Sequence, residues 1–188
     1  GGDGIEGGKF VAACIALAFN ETDVRTVIDK ALTYLNPESD YVACVKDVLF
    51  MKDSGMSMKE CRSVIFDKYS YANYPGVCHI IPNTAIMIMS MVYGDNDFSK
   101  TLTMLCECGW DTDCTCGNVG SIMGALVGIE GIDEKWITPI QDILISSSAI
   151  GSLNLDTVSE TALYFAKLAA EKIIKKEKTY QFSLNKEQ

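Results

Sequence analysis

Two carboxylates one residue apart, Asp111 and Asp113, open a helix of small residues in the segment Gly109-Trp110-Asp111-Thr112-Asp113-Cys114. Side chains at i and i+2 of a loop-to-helix junction can turn toward one point, beside the free amides and positive end of the helix. Two readings fit this spacing. In the first, Asp111, Thr112 or Asp113 caps the helix by accepting from its orphan amides. In the second, the carboxylate oxygens bind a hard cation such as Mg²⁺, Mn²⁺ or Ca²⁺, with further ligands supplied from elsewhere.

Other residue types invite chemistry with less support. Cys106-x-Cys108 and Cys114-x-Cys116 could suggest a four-thiolate zinc site. Paired zinc cysteines are separated by roughly two to four residues, however, and here two of the four would point to opposite sides of a helix end. His79, the only histidine, lies in a loop with Pro75 and Gly76 just before Pro82, and Asn83 follows. Each has a functional reading, as a residue lining a site, and a structural one, as a satisfied histidine and a helix N-terminal asparagine. Ser146-Ser147-Ser148 has no base near it in sequence, so a catalytic triad is not supported.

The elements that must position these residues are helical nearly throughout, by apolar period. A buried helix is expected over Lys9–Phe19, a second over Asp23–Leu35 after the cap-rich Asn20-Glu21-Thr22-Asp23, and a third from Ser39 to Lys52. A fourth begins at Ser57 with a stripe of Cys61, Val64, Ile65 and Tyr69. A loop from Ser70 to Ile81 leads into a helix with Pro82 in its first turn. Phe98–Cys108 follows, then the Gly-rich helix from Cys114 to Ile129, a short helix at Trp136, a polar break over Ser146–Asn154, and a long helix from Leu155 to Lys176. No strand shows convincing alternation. The expected class is all-α, a compact multi-helix bundle. The methionines, among them Met51, Met56, Met58, Met87, Met89 and Met91, read as core fillers.

Bulk properties narrow the partners. With 188 residues the chain can bury a sizeable core, and its net charge of −9 argues against general nucleic-acid binding. The one basic run, Lys172, Lys175, Lys176 and Lys178, reads as a solvated helix end. The Gly120-x-x-x-Gly124-x-x-x-Gly128 spacing resembles a membrane dimerisation face, but its apolar stretch is too short to span a bilayer. In a soluble chain the same spacing marks a helix that others approach closely. The eight cysteines include several among apolar helical neighbours, as in Ala12-Ala13-Cys14-Ile15-Ala16. Free thiols in a reducing cytoplasm are the expected state.

The wider pattern resembles the ADP-ribosylglycohydrolase family. The acidic segment and its helix of small residues (Gly117, Gly120, Ser121, Gly124, Ala125 and Gly128) are preceded by Asn83-Thr84-Ala85, Tyr93-Gly94 and Asp97-Phe98, and followed by Gly131-Ile132 and Trp136. The likeness runs from about Gly7 to Lys175 and is specific from about Pro82 to Trp136. It implies an all-α bundle with a dinuclear Mg²⁺ centre that hydrolyses an N- or O-glycosidic bond of ADP-ribose or an ADP-ribosylated substrate. By the same resemblance Asp111 and Asp113 are metal ligands, and the third ligand position falls on Cys114, where better-known members carry Thr. A thiolate is soft and suits Mg²⁺ poorly. Either Cys114 does not ligate, or one metal is weaker, absent or replaced by Mn²⁺.

Gly109, Trp110, Thr112, His79 and Asn83 are the residues expected to shape the site and bind substrate. The family's remaining ligands and the acid that assists water lie in an N-terminal half not found in this chain. Residues 1–188 are therefore expected to be the C-terminal portion of one helical domain that works with a preceding segment. The alternatives are a non-catalytic member that binds metal or nucleotide, which the Cys114 departure favours, and an unrelated zinc or calcium module.

Overall fold

A computed structural model describes residues 2–147 and 154–184, with side chains through Glu171. The described chain divides into two compact units, residues 1–133 and 134–188.

Among its described residues the first unit holds seven α-helices: α1 Asp3–Ala18, α2 Val24–Leu32, α3 Asp40–Asp53, α4 Met58–Lys68, α5 Ile80–Tyr93, α6 Phe98–Cys106 and α7 Thr112–Val127. Their starts are written in the sequence. Asp23, Ser39 and Asp97 each cap a helix, accepting from the amides of Thr26, Val42 and Lys100. Ser57 and Glu60 form a reciprocal capping box on α4. Helix α1 begins six residues earlier than its apolar period predicts, and in that added stretch Glu6 and Gly7 are buried. A Cβ on Gly7 would lie 2.9 Å from Ile80 Cγ1 and 3.2 Å from Tyr41 Cε2, so glycine lets α1 approach the start of α5.

Helix α5 is the centre. Every residue from Ile81 to Tyr93 is buried, the signature of a helix apolar on all sides and enclosed by others. Helices α1, α2, α3, α4, α6 and α7 all pack on it. Met51, Met87, Met89 and Met91 are core residues as expected, whereas Met56 and Met58 are half-buried. The Gly-rich α7 packs on α6 and α1 through Thr115, Val119, Ile122 and Met123. A Cβ at Gly120 would meet Leu102 at 3.7 Å and one at Gly124 would meet Ile132 at 3.8 Å, which matches the close-approach reading of that face.

The second unit carries a short helix α8, Glu134–Ile137, strands β1 Ile143–Ile145 and β2 Leu155–Thr157, and helix α9, Val158–Leu184. The strands pair antiparallel with Leu144 opposite Asp156. This hairpin corrects the expectation of no strand. Three residues per strand are too few for a period-2 pattern to register, and the last helix starts three residues later than expected because Leu155–Thr157 is spent on the ladder. Asp142 and Thr157 accept from the amides of Ser159 and Glu160 at the start of α9. The class remains all-α with one minor hairpin. The side chains of Lys172, Lys175, Lys176 and Lys178, and Ser148 of the serine triplet, lie outside the described residues. Among the described residues, no helix is long and apolar enough to cross a membrane.

Two buried or capping carboxylates predict the acid response. Glu6 accepts from Lys9 Nζ at 2.9 Å and from the Asn36 amide at 2.8 Å, and these hydrogen bonds hold its carboxyl below the usual range. Asp23 is held low first by the Thr26 amide. A carboxyl depressed in the folded state stabilises above its unfolded pKa of about 4, and that stability is lost as the pH falls through the folded value. Urea midpoints should therefore fall below about pH 4. The gap between wild type and Asp23→Asn should close over the same window, and a gap unchanged by acid would refute the linkage.

Candidate functional site

The loop between α6 and α7 makes its turn on two left-handed residues. Gly109 has φ 74° and Asp111 has φ 46° with ψ 49°. Glycine adopts this geometry freely, and aspartate is among the few side chains that tolerate it. Asp111 occupies the N-cap position of α7, yet its side chain makes no capping hydrogen bond. The capping reading therefore does not hold for Asp111. The buried Thr115 secures the turn instead: its hydroxyl donates to the Asp111 carbonyl at 3.1 Å, and its amide donates there at 2.9 Å.

The freed carboxylate faces the central helix. Asn83, buried in the first turn of α5, donates from Nδ2 to Asp111 Oδ2 at 2.6 Å. The Tyr71 hydroxyl donates to Asn83 Oδ1. A chain Tyr71–Asn83–Asp111 thus runs from the loop after α4, through the core helix, to the acidic segment. It fixes one carboxylate oxygen, Oδ2. Asn83, expected to bind substrate, here bonds Asp111 and Tyr71.

Asp111, Asp113 and Cys114 each offer one ligand atom, and these atoms lie within 4.8 Å of one another. Donors on opposite sides of one ion at ~2.3 Å would stand about 4.6 Å apart, so this spacing is within reach of a shared cation. Asp111 is half-buried, while Asp113 and Cys114 are exposed. Cys114 hydrogen-bonds Asp111, and that bond with the negative charges of Asp111 and Asp113 raises its thiol pKa. Cys78, in the loop before α5, hydrogen-bonds Asp111 but lies outside that group of three donors. Partial desolvation, then the charge and hydrogen bond of Asp111, raise its thiol as well. Tyr71, beside the same group, is pushed up to about 12, first by desolvation and then by Cys78, Asp111 and Cys114.

The donor set tests the expected ion. Two carboxylates fit a divalent cation; the thiol of Cys114 does not fit Mg²⁺, which takes oxygen ligands. The four-cysteine arrangement does not form. Cys114 turns to Asp111, whereas Cys116 hydrogen-bonds Cys106, and the buried Cys108 donates to the Met104 carbonyl at 3.4 Å. All eight cysteines are free.

The remaining candidates are placed as follows. Trp110 is half-buried, stacked on Phe66 at a centroid distance of 4.3 Å and tilted against Tyr71 at 5.3 Å, so much of its surface serves the loop. Thr112 opens α7 beside the carboxylates. His79 is the N-cap of α5: its Nδ1 accepts from the Ile81 amide at 3.2 Å, and its ring lies against Tyr74. Two contributors, Tyr71 and Cys78, escaped the sequence. Both sit in the Ser70–Ile81 loop that also holds His79, but neither has a spacing relation to Asp111 that periodicity could expose.

A family model described as ADP-ribosylglycohydrolase matches residues 1–173. Among curated proteins and among solved structures, nothing matches the chain.

Proposed function

The chain belongs to the ADP-ribosylglycohydrolase family, and from that premise we propose that it supplies the acidic segment of a hydrolase that cuts an N- or O-glycosidic bond of ADP-ribose or an ADP-ribosylated substrate. The observation that carries this reading is the Asp111 carboxylate, relieved of capping and oriented by Asn83 beside Asp113.

Asp111 and Asp113 would hold a divalent cation. Such an ion orients sugar hydroxyls and water and offsets charge at the anomeric carbon. Asn83 is a positioning residue: its amide holds Asp111 Oδ2, and Tyr71 holds Asn83. Gly109 lets the loop turn, and Thr112 brings the positive end of α7 to the carboxylates. The exposed edge of Trp110 is the wall against which a sugar or base would rest. Water attacks an oxocarbenium-like centre in this reaction class, and no residue of this chain is assigned as its general acid or base. We place the protein in the cytoplasm, where its free thiols persist.

Asn83→Ala in the complete protein should lower ADP-ribose release by about tenfold to a hundredfold, the usual cost of losing a group that orients a ligand. Unchanged release would remove Asn83 from the site. The second reading, a member that binds without turnover, is favoured by Cys114. Metal-supported release of ADP-ribose, followed by chromatography, decides between them: no release from any ADP-ribosyl substrate class, with binding retained, selects the second.

A further inference from the structure

We propose that the centre at Asp111, Asp113 and Cys114 selects a thiophilic divalent ion of the Zn²⁺ class over Mg²⁺. The inference rests on the preceding reading only in placing a cation at Asp111 and Asp113; it does not depend on which bond is cut.

The family implies a metal, and the donor chemistry of this chain disagrees with a magnesium ion. One thiol and two carboxylates bring their ligand atoms within 4.8 Å. A thiol in that set penalises Mg²⁺ and favours Zn²⁺ or Co²⁺, which accept sulfur and oxygen together. Cys114 is exposed at the mouth of the cluster, so its sulfur reaches an ion without rearrangement of the core. The other two ligands are pre-set. Asp111 is fixed through Oδ2 by Asn83, and it makes no cap bond to be broken. Asp113 follows in the first turn of α7, on the same rigid element as Cys114. Cys78 stands beside Asp111 and supports its orientation, without completing the group of mutually close donors. The Cys106–Cys116 pair and buried Cys108 are separate thiols and do not enter.

The experiment is a cobalt titration of the complete protein after removal of bound metal by a chelator. Co²⁺ should produce near-ultraviolet sulfur-to-cobalt charge-transfer absorption. Zn²⁺ should abolish it, and a large excess of Mg²⁺ should leave it. Cys114→Thr should remove the absorption and weaken Co²⁺ binding about tenfold or more, while Cys78→Ser should keep the absorption. The proposal is overturned if wild type shows no such band, if Cys114→Thr retains it, if Cys78→Ser loses it, or if Mg²⁺ displaces Co²⁺ at equal concentration. A Cys114-dependent band in a protein that releases no ADP-ribose would uphold the ion assignment and defeat the hydrolase reading instead.

Discussion

Asp111→Asn should slow ADP-ribose release by the complete protein about a hundredfold or more if Asp111 holds the proposed ion, since losing a charged ligand forfeits several kcal/mol of charge stabilisation and each ~1.4 kcal/mol is tenfold in rate. The substitution is nearly isosteric. An asparagine can still accept from Asn83 Nδ2, whose present bond to Asp111 Oδ2 is 2.6 Å. Its backbone geometry is tolerable too, because asparagine enters the left-handed region occupied here at φ 46° as readily as aspartate does. The fold should therefore survive, and the urea midpoint should stay close to that of wild type. Loss of release with an unchanged midpoint assigns the effect to the charge. Release within twofold of wild type would mean that Asp111 holds no ion, and the site would have to be sought elsewhere.

The largest stability effect is expected at Gly94, the C-cap of the central helix. A Cβ there would lie 1.9 Å from Thr101 Oγ1, 3.0 Å from Thr101 Cβ and 2.8 Å from the Ser90 carbonyl oxygen. A rotation of the threonine could relieve the first contact but not the last, which is backbone. Thr101 is itself fully buried, and its hydroxyl has no hydrogen-bond partner among the described residues. Gly94→Ala should cost about 3 kcal/mol and lower the melting temperature by roughly 10 °C. Combining it with Thr101→Ala should recover only part of the loss. Gly120→Ala provides the contrast. Its Cβ would meet Leu102 at an ordinary 3.7 Å, within a helix that alanine favours over glycine by up to about 1 kcal/mol. That variant should be neutral or slightly stabilising. If both variants melt alike, the close approach at Gly94 does not hold in solution.

Local chemistry made much of this protein legible in the order of its residues. Caps at Asp23, Ser39, Ser57 and Asp97 act within three residues of themselves, so their helices begin where the sequence says. The acidic segment and its stripe of glycines were recognisable for the same reason: Gly109, Asp111 and Asp113 exert their constraints along a few bonds of chain. The family followed from those residues.

Contacts between distant residues were decided only in three dimensions. Nothing within its own helix says whether Asp111 caps. That was decided by Asn83, 28 residues away, which takes its carboxylate, and by Thr115, which secures the turn without it. Tyr71 and Cys78 reach the site because the loop after α4 folds back over the start of α5, a geometry with no period to read. The pairing of Ile143–Ile145 with Leu155–Thr157 likewise needs a partner strand before either segment has any reason to extend. Cys114 shows the division within one residue: its softness is a property of the side chain, but its nearness to two carboxylates is a property of the fold.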